Sequence, residues 1–252
     1  MGFISLNNIF SARANWQKST LVNFKIDGQV DIWQVNVSEN LHLINNFLAV
    51  LSPDEILRAN RYLRREDRDR FVISRGALRH ILAGYLVVQP AEIRFELESN
   101  KKPFVVYPAE KILKYNLSDS EDYVLIAVAG SAVGIDIEYI KPKFYYDSIL
   151  PLNFNQREVD YIQQEDSSFR FFTLWTRKEA ILKATGIGLT DHLKQIPSLD
   201  GKFTVDGDLL ATGNDWQLMS FVSAPDYIAT IAVDPKIKAY NFYGFNSGEF
   251  FN

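Results

Sequence analysis

The chain has 252 residues, of which 47% are hydrophobic, 23% charged and 13% aromatic, a composition that rules out a disordered or fibrous protein. It has no cysteine and only three histidines, His42, His80 and His192, so disulfides, thiolate metal sites and a cysteine nucleophile are excluded and a histidine-rich zinc centre is disfavoured. The net charge of −4 argues against nucleic-acid binding by bulk electrostatics. The longest apolar run, over 123–135, is interrupted by Gly130 and Ser131 and falls short of the ~20 residues a membrane-spanning helix needs. No basic stretch precedes an apolar run at the N-terminus, so no secretory leader is expected and a cytoplasmic location follows.

In chain order, residues 30–37 read as a strand. Ser52-Pro53-Asp54-Glu55 predicts a helix start: serine caps, proline suits the first helical position, and Glu55 closes a capping box. The apolar spacing runs on through Ile56, Ala59, Tyr62 and Leu63. A second helix is expected over 67–86, burying Phe71, Leu78, Ile81, Leu82 and Tyr85. Strands are expected over 93–97, 103–106 and 123–128, the last apolar on both faces. A strand over 133–140 and helices over 155–164 and 168–185 follow, the last stopped by Gly186. Strands over 216–222 and 227–233 come next, and the aromatic tail 240–245 is left without an assignment.

The halves resemble one another. A shift of 103 residues aligns Glu55 with Glu158, Arg75 with Lys178, Ala77 with Ala180 and Leu78 with Ile181. A shift of 104 aligns Asp122-Tyr123-Val124 with Asp226-Tyr227-Ile228. The expected fold is α+β, with two similar α+β subdomains related by a pseudo-two-fold duplication. The expected boundaries are 1–131 and 132–252, with a cleft for a small molecule between the halves.

Within Gly134-Ile135-Asp136-Ile137-Glu138, strand alternation puts Asp136 and Glu138 on one face. Two adjacent carboxylates suit either a solvated edge strand or a hard divalent cation such as magnesium or manganese. On the helix over 168–185, Trp175, Glu179 and Lys183 form one stripe, with Lys178 beside it. That stripe is either ordinary helix stabilisation or, facing Asp136 and Glu138, a third carboxylate with a phosphate-binding lysine. Residues 58–70 hold six arginines against three acids, which suits a solvated helix face, a nucleic-acid patch or capture of a phosphate.

Gly134-Ile135-Asp136-Ile137-Glu138, followed by Trp175-x-x-Lys178-Glu179-Ala180-x-x-Lys183, resembles the 4′-phosphopantetheinyl transferase superfamily, in its monomeric Sfp-type branch. The likeness extends to Arg65-Glu66-Asp67-Arg68-Asp69-Arg70-Phe71, Lys102-Pro103 and Asn116-Leu117-Ser118, and covers roughly residues 50–235. It implies a pseudo-dimer that moves the 4′-phosphopantetheine arm of coenzyme A to a serine of an apo acyl carrier protein or peptidyl carrier domain, releasing adenosine 3′,5′-bisphosphate. Asp136, Glu138 and Glu179 would hold magnesium, with manganese as the alternative. Glu179 would also act as base, and Lys183, with Lys178 as a second candidate, would meet the phosphates. Arg58 and Arg70 would lie near the nucleotide, Lys102 and Pro103 beside the adenine, and Ser118 against the ligand. Where the family usually has histidine after Asn-x-Ser, this chain has Asp119, which would repel a phosphate. That departure leaves open a coenzyme A or carrier-protein binding protein of the same fold with weak or lost activity. A magnesium-dependent phosphohydrolase is the third reading.

Overall fold

Apolar residues fall on both faces of two central strands and on one face of each long helix, and this pattern dictates the layering. In a computed structural model, the described residues are 2–18, 26–98, 100, 102–107, 113–141, 144–188 and 192–250. Strands β1 (Phe3–Arg13), β2 (Gln17–Lys18) and β3 (Gln29–Asn36) precede helices α1 (Ile44–Leu48), α2 (Pro53–Ala59) and α3 (Arg65–Leu86). Then come β4 (Arg94–Leu97), β5 (Pro103–Tyr107), β6 (Lys114–Ser120), β7 (Tyr123–Ala129) and β8 (Val133–Tyr139). The rest of the chain forms α4 (Leu150–Asn153), α5 (Gln156–Ile162), α6 (Ser167–Thr185), β9 (Gly201–Asp206), β10 (Trp216–Ala224), β11 (Tyr227–Val233), β12 (Ala239–Gly244) and α7 (Ser247–Phe250).

Among the described residues, two five-stranded sheets result, ordered β2-β12-β3-β7-β6 and β8-β11-β10-β1-β9, with β4 and β5 as a separate hairpin. The sheets face each other across a core that includes Ile32, Leu125 and Ala127 on one side and Ile135, Ile137 and Phe221 on the other. The outer face of the first sheet is covered by α3, through Val72, Leu78 and Leu82 against Trp33, Val35 and Ile126. The outer face of the second is covered by α6, through Ile181 and Leu174 against Leu218, Ala232 and Ile228. The layers are therefore helix, sheet, sheet, helix. The chain ends cross over: β1 pairs in parallel with β10 in the second sheet, and β12 pairs in parallel with β3 in the first. Among the described residues, no helix is long and apolar enough to cross a membrane.

The duplication extends to a buried polar clamp. Ser52 and Asn155 cap α2 and α5, each within a capping box closed by Glu55 or Glu158. Each glutamate is then held by a buried cation of the neighbouring long helix, Arg79 at 2.8 Å and Lys178 at 3.1 Å. Each cation also bonds two carbonyls of the chain after that helix: Pro90 and Ile93 for Arg79, Leu193 and Ile196 for Lys178. The 103-residue shift pairs Arg75 with Lys178, but the spatial equivalent is Arg79, one helical turn further on.

Several stretches differ from expectation. Helix α2 stops at Ala59, because the N–H groups of Arg61 and Tyr62 turn back to Arg58 and Ala59, and Leu63 is left fully exposed. Strand β1 is recognisable only as a central strand of the other half's sheet: Ile4 and Leu6 are buried in register, and buried Asn8 donates to the carbonyls of Pro197 and Leu199. The unassigned aromatic tail is β12, with Tyr243 against Trp33 and Phe242 against Trp16.

Candidate active site

Among the described residues, strand β8 pairs with β11 along one edge only. Along its other edge the N–H groups of Ile135, Ile137 and Tyr139 donate to the side chains of Asn116, Ser118 and Ser120, at 2.8, 3.4 and 3.0 Å. Asn116-x-Ser118-x-Ser120 on β6 thus stitches the first sheet to the edge of the second, three polar residues on one face of a strand. Gly134 completes the fit, since a Cβ there would overlap the backbone of Ala180 and Ala184 in α6. With no side chain at that point, α6 lies directly on β8 and brings Lys183 to Asp136.

The Asp136 carboxylate, 4% exposed, accepts on Oδ1 from Ser118 Oγ at 2.9 Å and from Lys183 Nζ at 2.6 Å. Lys183 Nζ also donates to Ser118 Oγ at 2.8 Å. Asp136 Oδ2 is buried and has no hydrogen-bond partner among the described residues. Glu138 accepts from Ser120 Oγ at 3.2 Å. Burial, and then the charge of Asp136, pushes the Glu138 carboxyl up to about 7. The same two causes raise Glu179, with Lys183 opposing them, and burial raises Asp136 itself. The three carboxyls thus share one electrostatic field, though no group of three or more His, Cys, Asp or Glu side chains converges in metal-ligating geometry among the described residues. Lys183 occupies the position on Asp136 Oδ1 where a cation belongs. A buried carboxylate oxygen without a donor, beside two further carboxyls, is a donor set that suits a hard divalent cation.

Glu179 and Lys183 line a cleft of about 220 Å³ together with Asn116, Lys102 and Pro103 of the first half. Lys102 Nζ donates to the carbonyls of Val133, Lys183 and Ala184, and burial lowers its pKa to about 8. Its charge is therefore spent on the end of α6, a favourable place for a cation. Lys178 requires a correction. It is 1% exposed, and its three hydrogen bonds go to Glu158, Leu193 and Ile196, so it has no proton to offer a phosphate. Asp119 sits 3.0 Å from Arg70, which also binds Asp67 at 2.7 Å. The aspartate's charge is thus met by an arginine rather than left to face a ligand. Arg58 stands over the ring of Phe71 at 5.1 Å, in a second cleft of the first half that also reaches Pro103. Sequence reading passed over the edge-capping roles of Asn116 and Ser120, although their spacing with Ser118 is a period-two polar pattern.

The profile of the 4′-phosphopantetheinyl transferase superfamily matches residues 132–232, and that of a 4′-phosphopantetheinyl transferase N-terminal region matches residues 31–131. The chain is 35% identical over 214 residues to the 4′-phosphopantetheinyl transferase HetI of Nostoc sp., covering 82% of this chain and 89% of that protein. It is 32% identical over 173 residues to the 4′-phosphopantetheinyl transferase psf-1 of Bacillus pumilus, covering 67% and 68%. To the 4′-phosphopantetheinyl transferase Sfp of Bacillus subtilis it is 27% identical over 195 residues, covering 76% and 81%. The chain belongs to the 4′-phosphopantetheinyl transferase superfamily. It is an enzyme of that class, and the Sfp-type resemblance and the α+β fold read from its sequence are borne out.

Proposed function

We propose that this enzyme transfers the 4′-phosphopantetheine arm of coenzyme A to a serine of an apo acyl carrier protein or peptidyl carrier domain, releasing adenosine 3′,5′-bisphosphate, as a cytoplasmic monomer. The observation that carries the reading is the joint placement of Asp136, Glu138, Glu179 and Lys183 where β8, α6 and β6 meet. We assign the nucleotide side to residues 1–131 and the catalytic side to 132–252, with their end strands exchanged.

The serine oxygen forms a bond to the phosphorus that bears the pantetheine arm. The bond from that phosphorus to the adenosine 5′-phosphate oxygen breaks, and the bisphosphate leaves with the electron pair. The serine proton goes to the Glu179 carboxylate, whose raised pKa makes it a stronger base than an exposed glutamate. Asp136, Glu138 and Glu179 are the residues that would hold magnesium or manganese, which when bound supplies positive charge against the pyrophosphate oxygens. Lys183, already poised between Asp136 and Ser118, turns its ammonium to the phosphates. Arg58 and Arg70 lie toward the nucleotide, Pro103 lines its path, and Lys102 positions the end of α6.

The test is Glu179→Gln, assayed for phosphopantetheine transfer with its thermal midpoint measured alongside. Loss of a general base predicts a rate at least about 100-fold lower with the midpoint unchanged. Near-normal transfer removes Glu179 from the mechanism.

A further inference from the structure

The face of the second sheet beneath α6 is apolar at Leu218, Ile228 and Ala232, which meet Leu174 and Ile181 of the helix. One row across that face is polar. Thr230 on β11 pairs with Ser220 on β10 and with Asp136 on β8, and directly opposed residues share a face. Thr230, Ser220 and Thr176 of α6 are fully buried, and Arg177 and Asp136 nearly so.

Four of these groups form one continuous ladder. Arg177 Nε donates to Ser220 Oγ at 2.8 Å. The hydroxyls of Ser220 and Thr230 lie 2.8 Å apart, and those of Thr230 and Thr176 lie 2.9 Å apart. Thr176 Oγ1 donates to the Thr173 carbonyl at 3.0 Å. The order of the protons is fixed from both ends. A guanidinium only donates, so Ser220 accepts from Arg177 and gives its own proton to Thr230. Thr176 spends its proton on the carbonyl, so it accepts from Thr230. Arg177 is itself anchored by the Ser198 carbonyl and the Asp200 carboxylate, both at 2.6 Å.

Stability alone does not account for this row. Apolar residues of the same shape would hold the interface about as well, because replacing both partners of a buried hydrogen bond is nearly neutral. Apolar contact is non-directional and tolerates sliding, whereas a chain of hydroxyls holds one geometry. The row is also in line with the site. It continues across the sheet to Asp136, and Thr176 precedes Glu179 by three residues and Lys183 by seven, which sets all three along one side of α6.

We propose that Thr230 is a positioning residue for the transfer reaction: by holding Thr176 it sets the roll of α6, and with it where Glu179 and Lys183 stand against Asp136. The inference rests on the roles given to Glu179 and Lys183 above.

The experiment is steady-state transfer to an apo acyl carrier protein, with coenzyme A and magnesium, by the unsubstituted enzyme, Thr230→Val, Thr230→Ser and Ile181→Val. All are assayed well below their thermal midpoints, which are measured alongside. Thr230→Val keeps the side-chain shape and removes the hydroxyl. Because a misplacement of about 1 Å costs up to about 100-fold, its kcat is expected to fall about 10-fold, with KM for the carrier within about 2-fold. Thr230→Ser restores the ladder and most of kcat. Ile181→Val loosens the same interface without touching the ladder, so its midpoint falls while kcat stays within about 2-fold. A Thr230→Val enzyme of unchanged kcat overturns the assignment and leaves the transferase reading standing. So does a serine variant no faster than the valine one, or an equal fall of kcat in Ile181→Val. Absence of transfer by the unsubstituted enzyme removes the roles of Glu179 and Lys183, and the Thr230 assignment with them.

Discussion

Lys178 and Lys183 stand five positions apart on α6 and do opposite things. Lys183 is 28% exposed and reaches a carboxylate in a cleft, whereas the Lys178–Glu158 pair is 1% exposed at both ends. Removing one member of a buried pair strands the other, so Lys178→Met should lower unfolding stability by about 3–5 kcal/mol, measured in urea. A stable Lys178→Met protein with weakened coenzyme A affinity would contradict the clamp and restore Lys178 as a phosphate ligand. His80 offers a pH test far from the site. Buried against Phe47 and Phe250, it is pushed down to about 4 by desolvation, below its unfolded value of ~6.5. The folded state resists the proton that the unfolded chain accepts. This contribution is complete above pH ~6.5 and is lost as pH falls toward 4, by roughly 3 kcal/mol in all. His80→Gln should flatten that limb of the stability–pH curve; an unchanged slope would assign it to other groups. At this scale the sequence displayed Asp136, Glu138, Glu179 and Lys183 through spacing. It could not display the burial that separates Lys178 from Lys183, because Lys178 lies just beside the stripe that carries Lys183 and only the packing of α5 marks it as buried.

Among the elements, the contact of α6 with β8 sets the site. Gly134→Ala puts a methyl group into the backbone of Ala180 and Ala184, and backbone cannot swing aside as a side chain does. We expect a loss of about 3 kcal/mol, the upper part of the overpacking range, together with a fall in transfer, because Asp136 and Lys183 are driven apart. A Gly134→Ala protein of unchanged midpoint and rate would show that the contact does not position the site. The capping box at Ser52, the stop at Gly186 and the strands β7, β8 and β11 were legible because caps and apolar runs are local signals. Helix α2 was read too long because Tyr62 has helical spacing, yet it serves as a turn residue whose ring lies tilted against Phe71, centroids 5.5 Å apart. Strand β6 was quoted as a motif but not as a strand, since its inward side chains are polar and cap the edge of another sheet.

At the scale of the whole molecule, the duplication was visible in sequence, but the exchange of β1 and β12 between sheets was not. Parallel pairing of β1 with β10 and of β12 with β3 joins residues more than 200 apart, and no local pattern encodes a partner at that distance. The exchange ties both halves to one another around the core between the sheets, and so holds the first-half arginines and the second-half carboxylates at fixed separation. The central claim is that these halves act together on coenzyme A and a carrier. It is tested most directly by intact-protein mass spectrometry of an apo acyl carrier protein incubated with this enzyme, coenzyme A and magnesium. The account predicts a mass increase equal to one phosphopantetheine, abolished by chelating the metal and restored by adding it back. An unchanged mass across several apo carriers, under conditions where coenzyme A binding is measurable, would contradict it.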